Sequence, residues 1–327
     1  MHALALVCAR CQPPGPALGE ALDAARSRAR RVLLVVLNAD DASSPAQPLD
    51  NATRGALLAA FAPDIELRWL RDRRYDPQRW CAAAEALVAD AVGEHAPLVF
   101  ADAGEASTSL PLPPAWRAGH VPTAFAAEEA ELRALLFEPG GASRQALVAR
   151  LPAPLMGALD AWRATPAFAR LAAEAAFLRD YRERWWAAPF PPVFVTVDSV
   201  VTWRDQVLLI ERGQPPGVGQ WALPGGFIDL HEPIVTACLR ELGEETGLAL
   251  RPADVVASRV FDDPLRSQRG RTITHAYRFV LDHLPSPPLA VGGDDAAQAR
   301  WTPIAALDPA RMFDDHYFIL QTFLGLD

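Results

Sequence analysis

The sequence predicts an α/β protein in two parts: an open parallel sheet covered by helices, then a hairpin and further strands carrying a glycine-rich turn and an acidic helix. Two observations predict it. Short apolar runs alternate with helical runs up to about residue 140, and a long strand pair followed by one strongly periodic helix marks the remainder. A length of 327 residues also exceeds what one core usually holds, which favours two domains.

In order, "ALALVCA" reads as a strand, a Pro- and Gly-rich turn follows, and "ALGEALDAARSRARR" reads as a helix before the strand "VLLVVLN". Strand, helix, strand at this spacing is a βαβ unit, which builds a parallel sheet. The helical "TRGALLAAF", the strand "IELRWL", the helical "PQRWCAAAEALVADAV" and the buried strand "PLVFAD" continue the pattern as an open sheet of Rossmann type. The first domain is expected over 1–142 and a helical connector over 143–188, with the second domain over 189–327. There "VFVTVDSVVTWRDQVLLIERG" reads as a hairpin, "THAYRFVLD" and "ARWTPIAAL" as later strands, and "DHYFILQTFLGL" as a closing helix.

Half the residues are apolar and 22% charged, the profile of a globular protein. A net charge of −9 leaves no basic excess for nucleic acid or anionic membranes. All 31 basic residues are Arg. No apolar run approaches a membrane span, and "MHALALVCAR" lacks a charged start and a cleavage site, so a cytoplasmic location is expected. Cys8 and Cys11 form a lone CxxC without partners for a zinc site, and Cys81 and Cys238 lie in helical patterns as small core residues.

The stretch "GGFIDLHEPIVTACLRELGEETGL" holds the chemistry. Gly225 and Gly226 turn the chain, Pro233 suits a first helical turn, Ile234, Ala237, Cys238 and Leu242 recur at helical spacing, and Gly247 caps the end. Glu241, Glu244 and Glu245 therefore share one face, with Arg240 a turn before Glu244. Like charges at these spacings, near the negative end of the helix dipole, oppose helix stability. They become favourable around Mg²⁺ or Mn²⁺, hard cations that prefer oxygen ligands.

Gly226, Glu232 six residues on, and then Arg240-Glu241-Leu242-Gly243-Glu244-Glu245-Thr246-Gly247-Leu248 resemble the Nudix box at every fixed position. That resemblance implies an α/β/α sandwich with a mixed sheet and hydrolysis of a nucleoside diphosphate joined to another group. It also implies that Glu241, Glu244, Glu245 and the Gly226 carbonyl hold the metal, and that Glu232 pairs with Arg240. Asp294 and Asp295 are candidates for the general base and equally suited to a turn. Beyond the box, "FPPVFVTVDSVV", "GQWALPGGF" and "SRVFDDPLRSQRGRTITHAYRF" are similar to the hydrolase half of bacterial bifunctional nicotinamide mononucleotide adenylyltransferase/Nudix proteins, which implies ADP-ribose as substrate. Arg266, Arg269 and Arg271 would clamp the diphosphate or form a solvated loop, and Trp221 would stack on adenine or belong to the core. His275 and His316 read as structural.

The first domain resembles the adenylyltransferase half, from "RDRRYDPQRW" through "WRAGHVPTAF" to "ELRALLFE". Its chemistry departs from the family. Arg10, Gln12 and Pro13 remain, but Gly15 and Leu18 stand where a phosphate-binding His pair belongs, and "ADAGE" replaces a segment bearing His and Lys. Leu132 and Arg133 are what remains of a third phosphate turn. Loss of these donors predicts a retained fold without transfer activity. Two other functions are weighed: a two-activity enzyme that also makes NAD, and a non-catalytic ADP-ribose sensor. The expected partner is a small nucleotide, with a homodimer admitted.

Overall fold

The computed structural model describes residues 1–92, 97–101, 111–119, 125–293 and 296–326. The chain forms two compact units, Met1–Ala173 and Glu174–Asp327.

The first unit contains β1 (His2–Ala9), α1 (Pro16–Arg26), β2 (Ala29–Leu37), α2 (Asn51–Phe61), β3 (Glu66–Leu70), α3 (Pro77–Val92), β4 (Leu98–Ala101), β5 (Arg117–Ala118), α4 (Phe125–Phe137), α5 (Gly141–Arg150) and α6 (Ala153–Arg163). Its five strands are all parallel in the order β3-β2-β1-β4-β5, with Val7 opposite Leu34 on one side and Phe100 on the other. The helix expected through Arg31 stops at Arg26. From Ala29 the chain pairs with His2 onward and is buried throughout from Leu33, so sheet pairing overrides the helical composition of the arginine-rich run. Leu132, Leu136, Leu147, Leu155 and Leu159 of α4–α6 bury against Leu49 and Leu57. The long α7 (Pro166–Glu183) begins in this unit and ends in the next.

The second unit contains β6 (Val193–Trp203), β7 (Gln206–Arg212), β8 (Trp221–Ala222), α8 (Ile234–Thr246), β9 (Val255–Phe261), β10 (Arg271–Val280), β11 (Ala296–Pro303) and α9 (His316–Leu324). The sheet is mixed, ordered β11-β7-β6-β10-β9 with β8 beside β7; β6 and β10 run parallel while β6 and β7 close the expected hairpin. β9 carried no apolar alternation because five of its seven residues are exposed. Pro233 is the N-cap of α8, and Gly247 ends it in the left-handed conformation at φ 73°, its N–H donating to the Gly243 carbonyl. Ala237, Cys238 and Leu242 bury against Val197, Val201 and Phe279, which turns the glutamate face of the helix toward the glycine loop. Among the described residues, no helix is long and apolar enough to cross a membrane.

Candidate functional site

The loop after β8 returns along β6. Ser199 N–H donates to the Pro224 carbonyl at 2.8 Å and Val197 N–H to the Gly226 carbonyl at 2.9 Å. A Cβ on Gly225 would fall 2.0 Å from the Val197 carbonyl oxygen, so only glycine lets the backbone approach this closely. Its N–H donates to Glu245 Oε2 at 2.8 Å, and a Cβ on Gly226 would meet both Glu241 carboxylate oxygens at 2.6 Å. Two adjacent glycines thus set bare backbone against two carboxylates.

Arg240 ties loop to helix. Its Nη2 and Nε donate to Glu232 at 2.6 and 3.2 Å, its Nη2 also to the Phe227 carbonyl at 3.2 Å, and its Nη1 to Glu241 and Glu244, each at 2.9 Å. The Arg240 guanidinium holds the Glu232 carboxyl below its usual range, and Glu232 in turn raises the Arg240 pKa. Glu244 is the open member of the trio, its side chain 46% exposed against 12% for Glu241. Glu245 is buried; burial pushes its carboxyl up to about 8, with Glu241 and Asp198 adding to the shift and the Gly225 N–H opposing it.

Among the described residues, no three His, Cys, Asp or Glu side chains are already gathered as a cation cage, and Arg240 bridges Glu241 and Glu244. The donor set still fits a hard divalent cation. It offers three carboxylates from one helix together with the Gly226 carbonyl, whose bond to Val197 uses one of two lone pairs, and the missing Cβ of Gly226 leaves a cradle beside Glu241.

Other expected residues lie differently. Arg266 is 4% exposed; its Nε and Nη2 fork onto Asp315 at 3.0 and 2.9 Å, so a charged partner inside the protein takes the donors expected to meet phosphate. Trp221 is 4% exposed, with the Arg300 guanidinium 3.7 Å from its ring centroid, so a cation covers the face expected to stack on adenine. Arg269 lies over the Phe227 ring at 4.9 Å, and Arg271 donates to the Asp262 carbonyl from an exposed position. Asp294 and Asp295 lie outside the described residues. His275 is partly buried in β10.

A buried polar chain in this unit joins Arg266 and His316 to Asp198, Thr274 and Asp315, three residues with no expected role. Thr274 Oγ1 donates to Asp198 Oδ2 at 2.6 Å, Arg266 Nη2 and His316 Nε2 each stand 3.7 Å from Asp198, and His316 Nδ1 accepts from Leu223 N–H at 2.9 Å. Burial lowers the His316 pKa, although Asp198 and Asp315 oppose this, and its accepting Nδ1 puts the proton on Nε2. The available signal was Asp198 itself, a charge within the apolar strand "VFVTVDSVV".

In the first unit, two carboxylates from α4 meet the β1–α1 turn. Cys11 N–H donates to Glu129 Oε1 and Ala17 N–H to Glu128 Oε2, both at 2.8 Å. A Cβ on Gly15 would lie 2.5 Å from Glu128 Oε2, and Leu18 is fully buried. An internal carboxylate therefore takes a helix N–H of the kind that commonly receives phosphate. Arg133 Nη1 reaches the Gln12 carbonyl at 3.5 Å. The stretch after Ala101, where "ADAGE" continues, lies outside the described residues. The four cysteines are free thiols; Cys8, Cys11 and Cys238 are buried, while Cys81 is half-buried.

Residues 193–323 match the model of the NUDIX domain. A segment of 130 residues, 40% of this chain, is 35% identical to an ADP-ribose pyrophosphatase of Methanocaldococcus jannaschii and covers 72% of it. A segment of 157 residues, 47% of the chain, is 31% identical to the ADPR responsive transcriptional repressor NtrR of Acinetobacter baylyi and covers 61% of that protein. Among solved structures, a bifunctional NMN adenylyltransferase/ADP ribose pyrophosphatase from Francisella tularensis, complexed with AMP and a manganese ion, matches over 99% of both chains with TM-score 0.88 and 26% identity. The chain belongs to the Nudix family of pyrophosphohydrolases, whose members generally depend on a divalent metal.

Proposed function

We propose that this protein hydrolyses ADP-ribose to AMP and ribose 5-phosphate with Mg²⁺ or Mn²⁺. The observation that carries the reading is the close approach of the Gly225-Gly226 backbone to Glu245 and Glu241. Water adds across the diphosphate: its oxygen bonds to one phosphorus, the bridging P–O bond breaks, and the leaving phosphate takes up a proton. Glu241, Glu244, Glu245 and the Gly226 carbonyl would hold the cation, which when bound neutralises phosphate charge and acidifies water. Arg240 keeps the loop on the helix through Glu232, so that only its Nη1 has to release Glu241 and Glu244. Arg269 and Arg271 would donate to the diphosphate, since guanidinium forks match phosphate oxygens.

A second reading, an enzyme that also makes NAD, draws on the full-length similarity to the Francisella protein. Gly15, Leu18 and the Glu128 contact to α1 argue against it, and the first domain is proposed to lack transfer activity. The sensor reading draws on the repressor, yet all the box carboxylates are kept. A cytoplasmic location and a homodimer complete the proposal, to be checked by fractionation and light scattering.

The test is AMP release from ADP-ribose with Mg²⁺ or Mn²⁺, with and without chelator, beside NAD synthesis from nicotinamide mononucleotide and ATP. Chelator-sensitive AMP release without NAD is the expected result. Absence of AMP would overturn the hydrolase substrate, and NAD formation would overturn the inactive first domain.

A further inference from the structure

The loop Leu223–Gly226 is held by two backbone N–H groups of β6 and by two side chains, Glu245 at Gly225 and His316 at Leu223. Glu245 is one of the carboxylates assigned to the cation. His316 is something else: the first residue of α9, distant in sequence from both loop and acidic helix, and 6% exposed. Behind it stands the chain of Asp198, Thr274, Arg266 and Asp315, all buried, in which each group meets a complementary partner. Burying so much charge is costly, and an apolar cluster of the same volume would stabilise the fold at least as well. What a polar chain adds is direction. Thr274 donates to Asp198 and Arg266 to Asp315, Asp198 stands 3.7 Å from both Arg266 Nη2 and His316 Nε2, and His316 Nδ1 accepts from the amide that opens the metal-facing loop.

We propose that His316 is a positioning residue for the hydrolytic site: through Nδ1 it sets the Leu223–Gly226 backbone, and thereby the Gly225 N–H on Glu245 and the Gly226 edge beside Glu241, with Asp198 facing its Nε2. The inference rests on the assignment of Glu241 and Glu245 to the metal. The geometry is strict because Gly225 already abuts the Val197 carbonyl and Gly226 the Glu241 carboxylate, so a shift of the loop changes both contacts together. A displacement near 1 Å at such a place commonly costs about a hundredfold in rate.

Two variants of the full chain separate positioning from core packing. His316→Asn carries an oxygen near the place of Nδ1 and can still accept from Leu223 N–H. His316→Gln reaches instead toward the place of Nε2, beside Asp198, and leaves that N–H without its acceptor. Three quantities are read for each: amide exchange of a peptide covering residues 221–228, Mn²⁺ affinity from water proton relaxation, and kcat and KM for ADP-ribose. In His316→Gln the loop amides exchange faster, Mn²⁺ binds about 10–100-fold more weakly, and kcat falls with little change in KM. In His316→Asn loop protection and kcat return most of the way to the parent values. Equal behaviour of the two variants, or loop exchange unchanged in both, overturns the proposal. If the parent chain neither binds Mn²⁺ nor releases AMP, the functional reading fails, while the exchange measurement still decides whether His316 sets the loop.

Discussion

Gly226 lies against Glu241 so closely that a methyl group on its Cα would stand 2.6 Å from the carboxyl carbon and from both oxygens. Backbone and carboxylate are thus packed as one surface. The obstructing atoms are the end of a side chain that can rotate, so Gly226→Ala is expected to fold and to push Glu241 out of place. Activity should fall about a hundredfold or more, as for a ligand displaced by an ångström, with a nearly unchanged melting temperature. Gly225→Ala differs, because its methyl would strike the Val197 backbone at 2.0 Å; it should cost about 1–3 kcal/mol of stability as well. Denaturation and kinetics on both variants check the contrast, and equal stability losses would contradict it.

Glu244 is the exposed member of the acidic trio and pairs with Arg240. Glu244→Gln keeps size and removes one ligand charge, so the fold should persist while activity drops by more than the roughly 10–100-fold typical of a partner one shell behind a metal ligand. Full activity in this variant would remove Glu244 from the metal site.

The acidic helix was legible because its signal is local: Pro233, the apolar repeat, the glutamates and Gly247 fall within one span, and helical periodicity alone sets which side chains share a face. The βαβ order of the first domain was legible for the same reason. Arg266 was not. Its place in an arginine-rich loop suggested phosphate, whereas its partner Asp315 lies 49 residues away and reaches it only through the folded sheet. Trp221 likewise meets Arg300 across strands. The carboxylates of Glu128 and Glu129 at the β1–α1 turn come from more than a hundred residues away, beyond the reach of any local pattern.

Arg266 and Arg269 therefore part company under mutation. Arg266→Ala leaves Asp315 buried without its fork, and loss of one member of a buried pair costs about 3–5 kcal/mol. Arg269→Ala removes a guanidinium that lies over Phe227 and faces the buried Asp314, and should cost less stability than loss of the Arg266 fork. If Arg269 meets the diphosphate, KM for ADP-ribose rises about tenfold or more, the loss of one charge-assisted hydrogen bond. Urea denaturation of the first variant and steady-state kinetics of the second test this division. A destabilised Arg269→Ala with unchanged KM would return that residue to the loop.

Glu129 makes the first domain sensitive to pH. Burial pushes its carboxyl from the ordinary 4.5 up to about 7, against the opposing pull of Arg133, of the Cys11 N–H and of Arg10. A carboxyl raised in the folded state binds its proton more tightly there than in the unfolded chain, so its contribution to stability is complete below about 4.5 and is lost as pH climbs through about 7. Other groups titrate in the same range, so the diagnostic quantity is the difference between the parent and Glu129→Gln, which keeps an acceptor for the Cys11 N–H but carries no ionisable proton. The variant should lose little at pH 4.5 and gain on the parent by a few kcal/mol at pH 8, on the order implied by a shift of that size. Amide exchange of residues 10–22, followed from pH 4.5 to 8 and corrected for intrinsic rates, reports the first domain without reference to the second. Parallel profiles for the two proteins would mean that Arg133 and Arg10 keep Glu129 ionised throughout, and that burial is the weaker of the two effects.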